Sequence, residues 1–148
     1  MSNTLYEQDF FAWANEQTAL LRSGRLSEAD IDHIAEEIES MGRSEQQQLE
    51  NRLTVLLLHL LKWQFQPGLR GNSWRLTIKE QRGRIVRHLR KNPSLQAVLG
   101  ETITDAYSDA LIEAERETGL SENTFPTACP WIFGQIIDAD FWPEAIAH

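Results

Sequence analysis

Glu37, His59 and Arg82 are polar side chains whose helical register sets them among apolar neighbours, where a polar group must find a partner. Trp74, Ile78, Ile85 and Leu89 define the core side of a predicted helix, and Arg82 projects from that stripe while Arg75, Lys79, Arg87 and Arg90 project away from it. A guanidinium stays charged when buried, so Arg82 needs an acceptor. Glu37 borders the apolar face of an earlier helix beside Ile34 and Met41, on one stripe with Asp30 and His33, and is the carboxylate expected to answer it. Such a pair either orients the arginine toward a ligand anion or fixes helix packing, and packing is the commoner outcome. His59 and Lys62 are, with Thr54, the only polar residues from Leu53 to Trp63. A histidine there has the chemistry of a general base or metal ligand, although most such rings simply donate to a carbonyl or carboxylate. The candidate polar pocket is therefore Glu37, His59, Lys62, Trp63, Trp74 and Arg82, with no catalytic residue assigned.

Other chemistries find less support. Arg82 to His88 and Arg52 to His59 match the Arg-to-His spacing of some helical ribonucleases, in which the histidine moves protons and the arginine stabilises a phosphorane. Two hits in 148 residues mark the pattern as unspecific. One cysteine, Cys129, and four scattered histidines give no CxxC, HxxH or HExxH, and no helix pair carries the Glu-x-x-His repeats of a di-metal bundle, so neither metal nor cofactor is expected. GxGxxG, GxxxxGK[ST] and GxSxG are absent.

The elements that must hold these residues read as helices throughout. Thr4-x-x-Glu7 reads as a capping box opening a helix of about 19 residues that ends near Gly24. Ser27 opens a second, carrying Ile31, Ile34, Ala35, Ile38 and Met41, with a break at Gly42. The third runs from about Ser44 to Phe65. Its leucines cover nearly every side, which places it at the centre of a bundle. Ser73 caps a fourth from Trp74 to about Lys91, closed by Asn92-Pro93. Pro93-Ser94-Leu95 starts a short helix, and a longer one follows from about Glu101 to Thr118, closed by Gly119. From Ser121 the chain changes to an extended wrap whose Phe125, Trp131, Phe141 and Trp142 cap one end of the bundle. The expected fold is all-α: an up-and-down antiparallel bundle of four to five main helices in one domain over residues 1–148, the bundle at about 4–118 and the wrap at about 119–148.

Charge is distributed in blocks. Residues 1–50 carry a net −8, residues 51–100 a net +9 and residues 101–148 a net −9, within an overall −8. A basic block can follow a nucleic-acid backbone. Here no aromatic residue interleaves the cations, and the acidic flanks offer intramolecular partners, so helix-to-helix charge complementarity is the expectation and nucleic acid is not. The longest apolar run, Val55 to Leu61, is too short to span a bilayer and the chain opens on no signal-like stretch, so a cytoplasmic protein without a membrane role is expected. The exposed aromatics of the wrap leave a homodimer or protein partner open.

Asp9-Phe10 with Trp13, Glu36-Glu37-Ile38-Glu39, His59-Leu60-Leu61-Lys62-Trp63, Ser73-Trp74 with Thr77-Ile78 and Arg82, Pro93-Ser94-Leu95, Tyr107, Phe125-Pro126 and Cys129-Pro130 follow one another along nearly the whole chain. In these residues the sequence resembles a bacterial family, abundant in cyanobacteria: the domain-of-unknown-function family numbered twenty-nine. The resemblance implies a small, stand-alone, mainly helical bacterial protein, and brings no established activity, cofactor or catalytic residue. Its pattern includes Glu37, His59, Trp63, Trp74 and Arg82 and does not require His88. The expected function is a helical binding or regulatory protein. The rival is an enzyme on an anionic or phosphate-containing substrate, with His59 acting, Glu37 orienting it and Arg82 or Lys62 holding the anion. A toxin–antitoxin-type role is a further alternative.

Overall fold

Asp9 divides what reads as one N-terminal helix into two. The computed structural model describes residues 2–146, with side chains from residue 5 onward, and holds no strand among them. Its helices are α1 (Ser2–Gln8), α2 (Phe10–Arg22), α3 (Ile31–Phe65), α4 (Asn72–Lys91), α5 (Leu99–Thr118) and α6 (Phe133–Ile137). None of these is long and apolar enough to cross a membrane. Packing divides the chain into two compact units, Met1–Ser44 and Glu45–His148.

In the first unit, Asp9 leaves the helical region and its carboxylate accepts from Ala12 N at 3.0 Å, capping α2. The Thr4 side chain of the expected capping box lies outside the described residues. Gly24 ends α2 at φ +73°, the left-handed conformation that only glycine takes cheaply. Ser27 does not open a helix: it sits in a 3-10 turn, Leu26–Glu28, and α3 begins only at Ile31. From there α3 runs for 35 residues without the break expected at Gly42. A single helical glycine costs about 1 kcal/mol relative to alanine, which is too little to stop a helix unless the chain has a turn to enter. Of the stripe at residues 31–41, Ile31, Ile38 and Met41 are more than half exposed.

The second unit is built on the rest of α3. Leu49, Leu53, Leu56, Leu57, Leu60 and Leu61 are wholly buried, as expected of its central helix. Lys62 lies over Trp74 and Glu45 meets His88, so α4 runs antiparallel to α3. Gln46 meets Thr102, Thr54 meets Ala106 and Lys62 meets Glu117, so α5 runs parallel to it. Ala106, Ala110 and Ala114, one turn apart and fully buried, let α5 approach closely. α4 opens one residue before Ser73, after an extended Gly71 and with no side-chain cap. Gly119 at φ +75° closes α5 as expected. The wrap that follows holds a 3-10 turn (Glu122–Thr124) and α6. Phe125 packs edge-on to Phe65, Trp142 lies 4.6 Å from Trp63, and Ile146 N donates to Gln64 O, so the wrap covers the C-terminal end of α3.

Candidate functional site

α4 turns Ile78, Ile85 and Leu89 into the core. On its other side Arg75, Lys79, Gly83, Arg87 and Arg90 fall within about 120° of arc. These residues, with Val86 and the edge of Arg82, form one wall of a cleft of about 600 Å³, and Ile137, Ala139 and Trp142 of the wrap form the other. Five cations and no carboxylate line it. Arg75 donates to Asn72 Oδ1 at 2.6 Å, while Lys79, Arg87 and Arg90 have no ion-pair partner among the described residues. The intramolecular charge complementarity expected of the basic block is therefore found at other positions among the described residues: Arg84 with Glu80 on the same helix and Lys62 with Glu117 of α5. The block totals were right but could not say which faces meet.

Arg82 is 3% exposed and holds the wrap in place. Its Nε donates to Ile136 O at 2.8 Å and its Nη2 to Phe141 O at 2.7 Å, with a longer contact to Gln135 O. Nη1 is buried without a hydrogen-bond partner among the described residues. Burial lowers its pKa, opposed by the charge of Asp138. The carboxylate expected to answer Arg82 is thus replaced by main-chain carbonyls of an irregular segment. Arg70, which sequence reasoning missed, does the same at a second point: Nε donates to Trp63 O at 2.6 Å and Nη2 to Pro143 O at 3.4 Å. The Arg70 guanidinium lies 4.9 Å from the Trp63 ring centre and that of Arg82 5.3 Å from the Trp142 ring centre, and the two rings pack together.

The other expected residues of this unit fall into separate contacts. Lys62 Nζ donates to Glu117 Oε1 at 2.7 Å and sits 4.8 Å from the Trp74 ring centre. His59 donates from Nδ1 to Val55 O at 2.8 Å, and burial lowers its pKa. His88 donates from Nε2 to Glu45 O at 2.9 Å. Both Arg-to-His pairs thereby have a ring nitrogen committed to the main chain, and Arg82 has its donors on the wrap.

Glu37 belongs to a network of the first unit. It accepts from the Tyr6 hydroxyl, and that bond pushes the Tyr6 pKa up to about 12. Tyr6 stacks on His33 at 3.9 Å, and His33 Nδ1 donates to Asp30 Oδ2 at 2.7 Å. The same oxygen accepts from Trp13 Nε1 at 3.0 Å, and Asp30 N donates to Gln17 Oε1 at 2.7 Å. Burial would raise the Asp30 pKa, yet the bonds from His33 and Trp13 carry it below the usual carboxylate value. The network ties α1 and α2 to the start of α3. Among the described residues no three His, Cys, Asp or Glu side chains converge on a metal position.

A family model matches residues 5–142, from α1 to Trp142 of the wrap. The chain belongs to the family described as Domain of unknown function DUF29. The resemblance drawn from the sequence motifs is to this family. No curated protein and no solved structure matches the chain. The DUF29 match spans the whole of α4 and the wrap residues that face it, so the cleft lies inside the family domain.

Proposed function

We propose that this DUF29 chain is a binding protein whose anionic ligand occupies the cleft between α4 and the wrap. The observation that carries the reading is the lining of five cations with no carboxylate. Arg75 with Lys79, and Arg87 with Arg90, are like charges one turn apart on a helix. Each such pair destabilises a helix by roughly 0.2–0.5 kcal/mol. A bound anion relieves that repulsion, and the wrap supplies an apolar opposite wall. Binding is favoured over catalysis at His59 because that ring donates to its own helix and its protonated form is disfavoured by burial.

A thermal-shift titration with inorganic polyphosphate tests this. Saturation a hundredfold above Kd contributes about 2.7 kcal/mol, or a rise of roughly 5–10 °C for a domain of this size. The Arg87→Ala/Arg90→Ala double variant should lose most of the rise. No shift in the parent protein, or an equal shift in the variant, would defeat the reading.

A further inference from the structure

We propose that the anion taken up by the α4 cleft is the phosphodiester backbone of a single-stranded nucleic acid. This rests on the anion-binding reading above and narrows it. Arg75 and Arg90 stand roughly 22 Å apart along a helix that rises 1.5 Å per residue, a span too wide for one phosphate and suited to an extended polyanion. The track continues beyond the cleft. Lys79, Gly83 and Arg87 also line an adjoining open depression of about 780 Å³ with Ser73, Thr77 and Glu80, whose carboxylate is paired with Arg84, and Arg87 lines a third with Arg52, Lys91 and the single carboxylate Glu45. A flexible chain can pass over Arg87 from one depression to the next. Gly83 leaves room on the floor of the cleft for the Arg87 guanidinium, whose Nη1 lies 3.4 Å from where a Cβ would stand.

The donor set decides between polyanions. Every polar side chain lining the main cleft is an arginine, a lysine or the indole of Trp142, all donors with no acceptor. A phosphodiester presents acceptors alone. An acidic peptide brings a main-chain N–H at every residue beside its carboxylates, whereas a nucleic-acid strand carries its N–H groups on the bases, away from the phosphates that these side chains hold. Val86 and Ile137, with the edge of the Trp142 ring that packs on Trp63 beneath Arg82, supply the apolar surface against which bases lie without sequence preference. A duplex, with its phosphates on a convex rod, does not enter a cleft of this size. Two objections raised by the sequence are met here: one aromatic residue arrives from the wrap, and among the described residues the acidic segments form no ion pair with Lys79, Arg87 or Arg90.

The test is fluorescence anisotropy of labelled single-stranded RNA and DNA 12-mers of mixed sequence with the full chain, beside a hairpin duplex, polyglutamate and inorganic polyphosphate. With four phosphates neutralised by Arg75, Lys79, Arg87 and Arg90, log K should fall against log salt with a slope of about −2.8, a loss of about 50-fold from 50 to 200 mM. Lys79→Ala and Arg87→Ala, both exposed and expected to melt like the parent, should each reduce that slope by about 0.7. Arg116→Ala on α5 should leave binding unchanged. Tighter binding of RNA or of DNA identifies the source of the strand. Oligonucleotides that fail to bind while polyphosphate or polyglutamate does would overturn the nucleic-acid proposal and leave the anion reading standing. Failure of every polyanion would overturn both, and a duplex binding as tightly as a single strand would overturn the single-strand assignment.

Discussion

Arg82 on α4 donates through Nη2 to the main-chain carbonyl of Phe141 at 2.7 Å. That bond fastens the wrap to the helix that carries the cleft cations, so one buried arginine positions the apolar wall opposite them. The cleft exists only while the wrap stays docked.

Replacing Arg82 by methionine keeps an apolar chain of similar length and removes every donor. The carbonyls of Ile136 and Phe141 are then left without their partner, a loss of about 2–4 kcal/mol. Lysine should not restore it, because a point charge cannot reproduce the planar fork that reaches both carbonyls. Urea unfolding measures the loss, and limited proteolysis should find new cuts near residues 135–143. An Arg82→Met protein that melts and resists protease like the parent would remove the clamp.

Gly83 should separate stability from binding. Alanine there meets only Arg87 Nη1 at 3.4 Å and gains up to about 1 kcal/mol of helix propensity. If the room that Gly83 leaves for the Arg87 guanidinium serves the ligand, Gly83→Ala raises Tm and weakens polyphosphate binding at once. Unchanged affinity would show that this room plays no part.

His59 gives the protein an acid-side sensitivity. Burial favours its neutral ring, so the folded-state pKa lies below the ordinary 6.5, with the Lys62 charge adding to the effect and Glu117 opposing it. As pH falls past about 6.5 the unfolded chain takes up a proton that the folded one does not. The stability from this group is therefore full above that pH and is lost as pH falls through the folded pKa. Urea midpoints from pH 8 to pH 5 should decline less steeply for His59→Gln than for the parent. Parallel curves would mean that His59 does not carry the effect.

Tyr6 acts at the other end of the scale. Its pKa is raised from 10 to about 12, chiefly by donating to Glu37, so its contribution is present below about pH 10 and lost between pH 10 and 12. Ultraviolet titration of the phenolates should show both tyrosines delayed, Tyr107 by its burial and Tyr6 by its bond to Glu37, and Tyr6→Phe should remove the earlier of the two steps. A Tyr6 that titrates near 10 would mean that the bond to Glu37 does not hold in solution.

The parts legible from sequence were those in which side-chain type alone decides the outcome. The leucines from Leu49 to Leu61 placed the second half of α3 at the centre of its unit, and Gly119 closed α5. Asp9 carried a readable N-cap signal that a single-helix reading passed over, and Gly42 was given more breaking power than a glycine has. Helical spacing also placed Arg82 inward. It could not name the partners, because the carbonyls of Ile136 and Phe141 belong to a segment whose path no side chain announces. The cleft was hidden for the same reason: Lys79 and Arg87 face Ile137 and Trp142 across it only once the wrap folds back.

The α4 cleft as the ligand site is tested most directly by amide ¹H–¹⁵N correlation spectra recorded while inorganic polyphosphate is added to the labelled chain. A ligand seated there shifts the amides of residues 75–90 together with those of residues 137–142, and leaves the buried face of α5 at residues 106–114 in place. Shifts confined to other elements, or no shift at saturating polyphosphate, would contradict it.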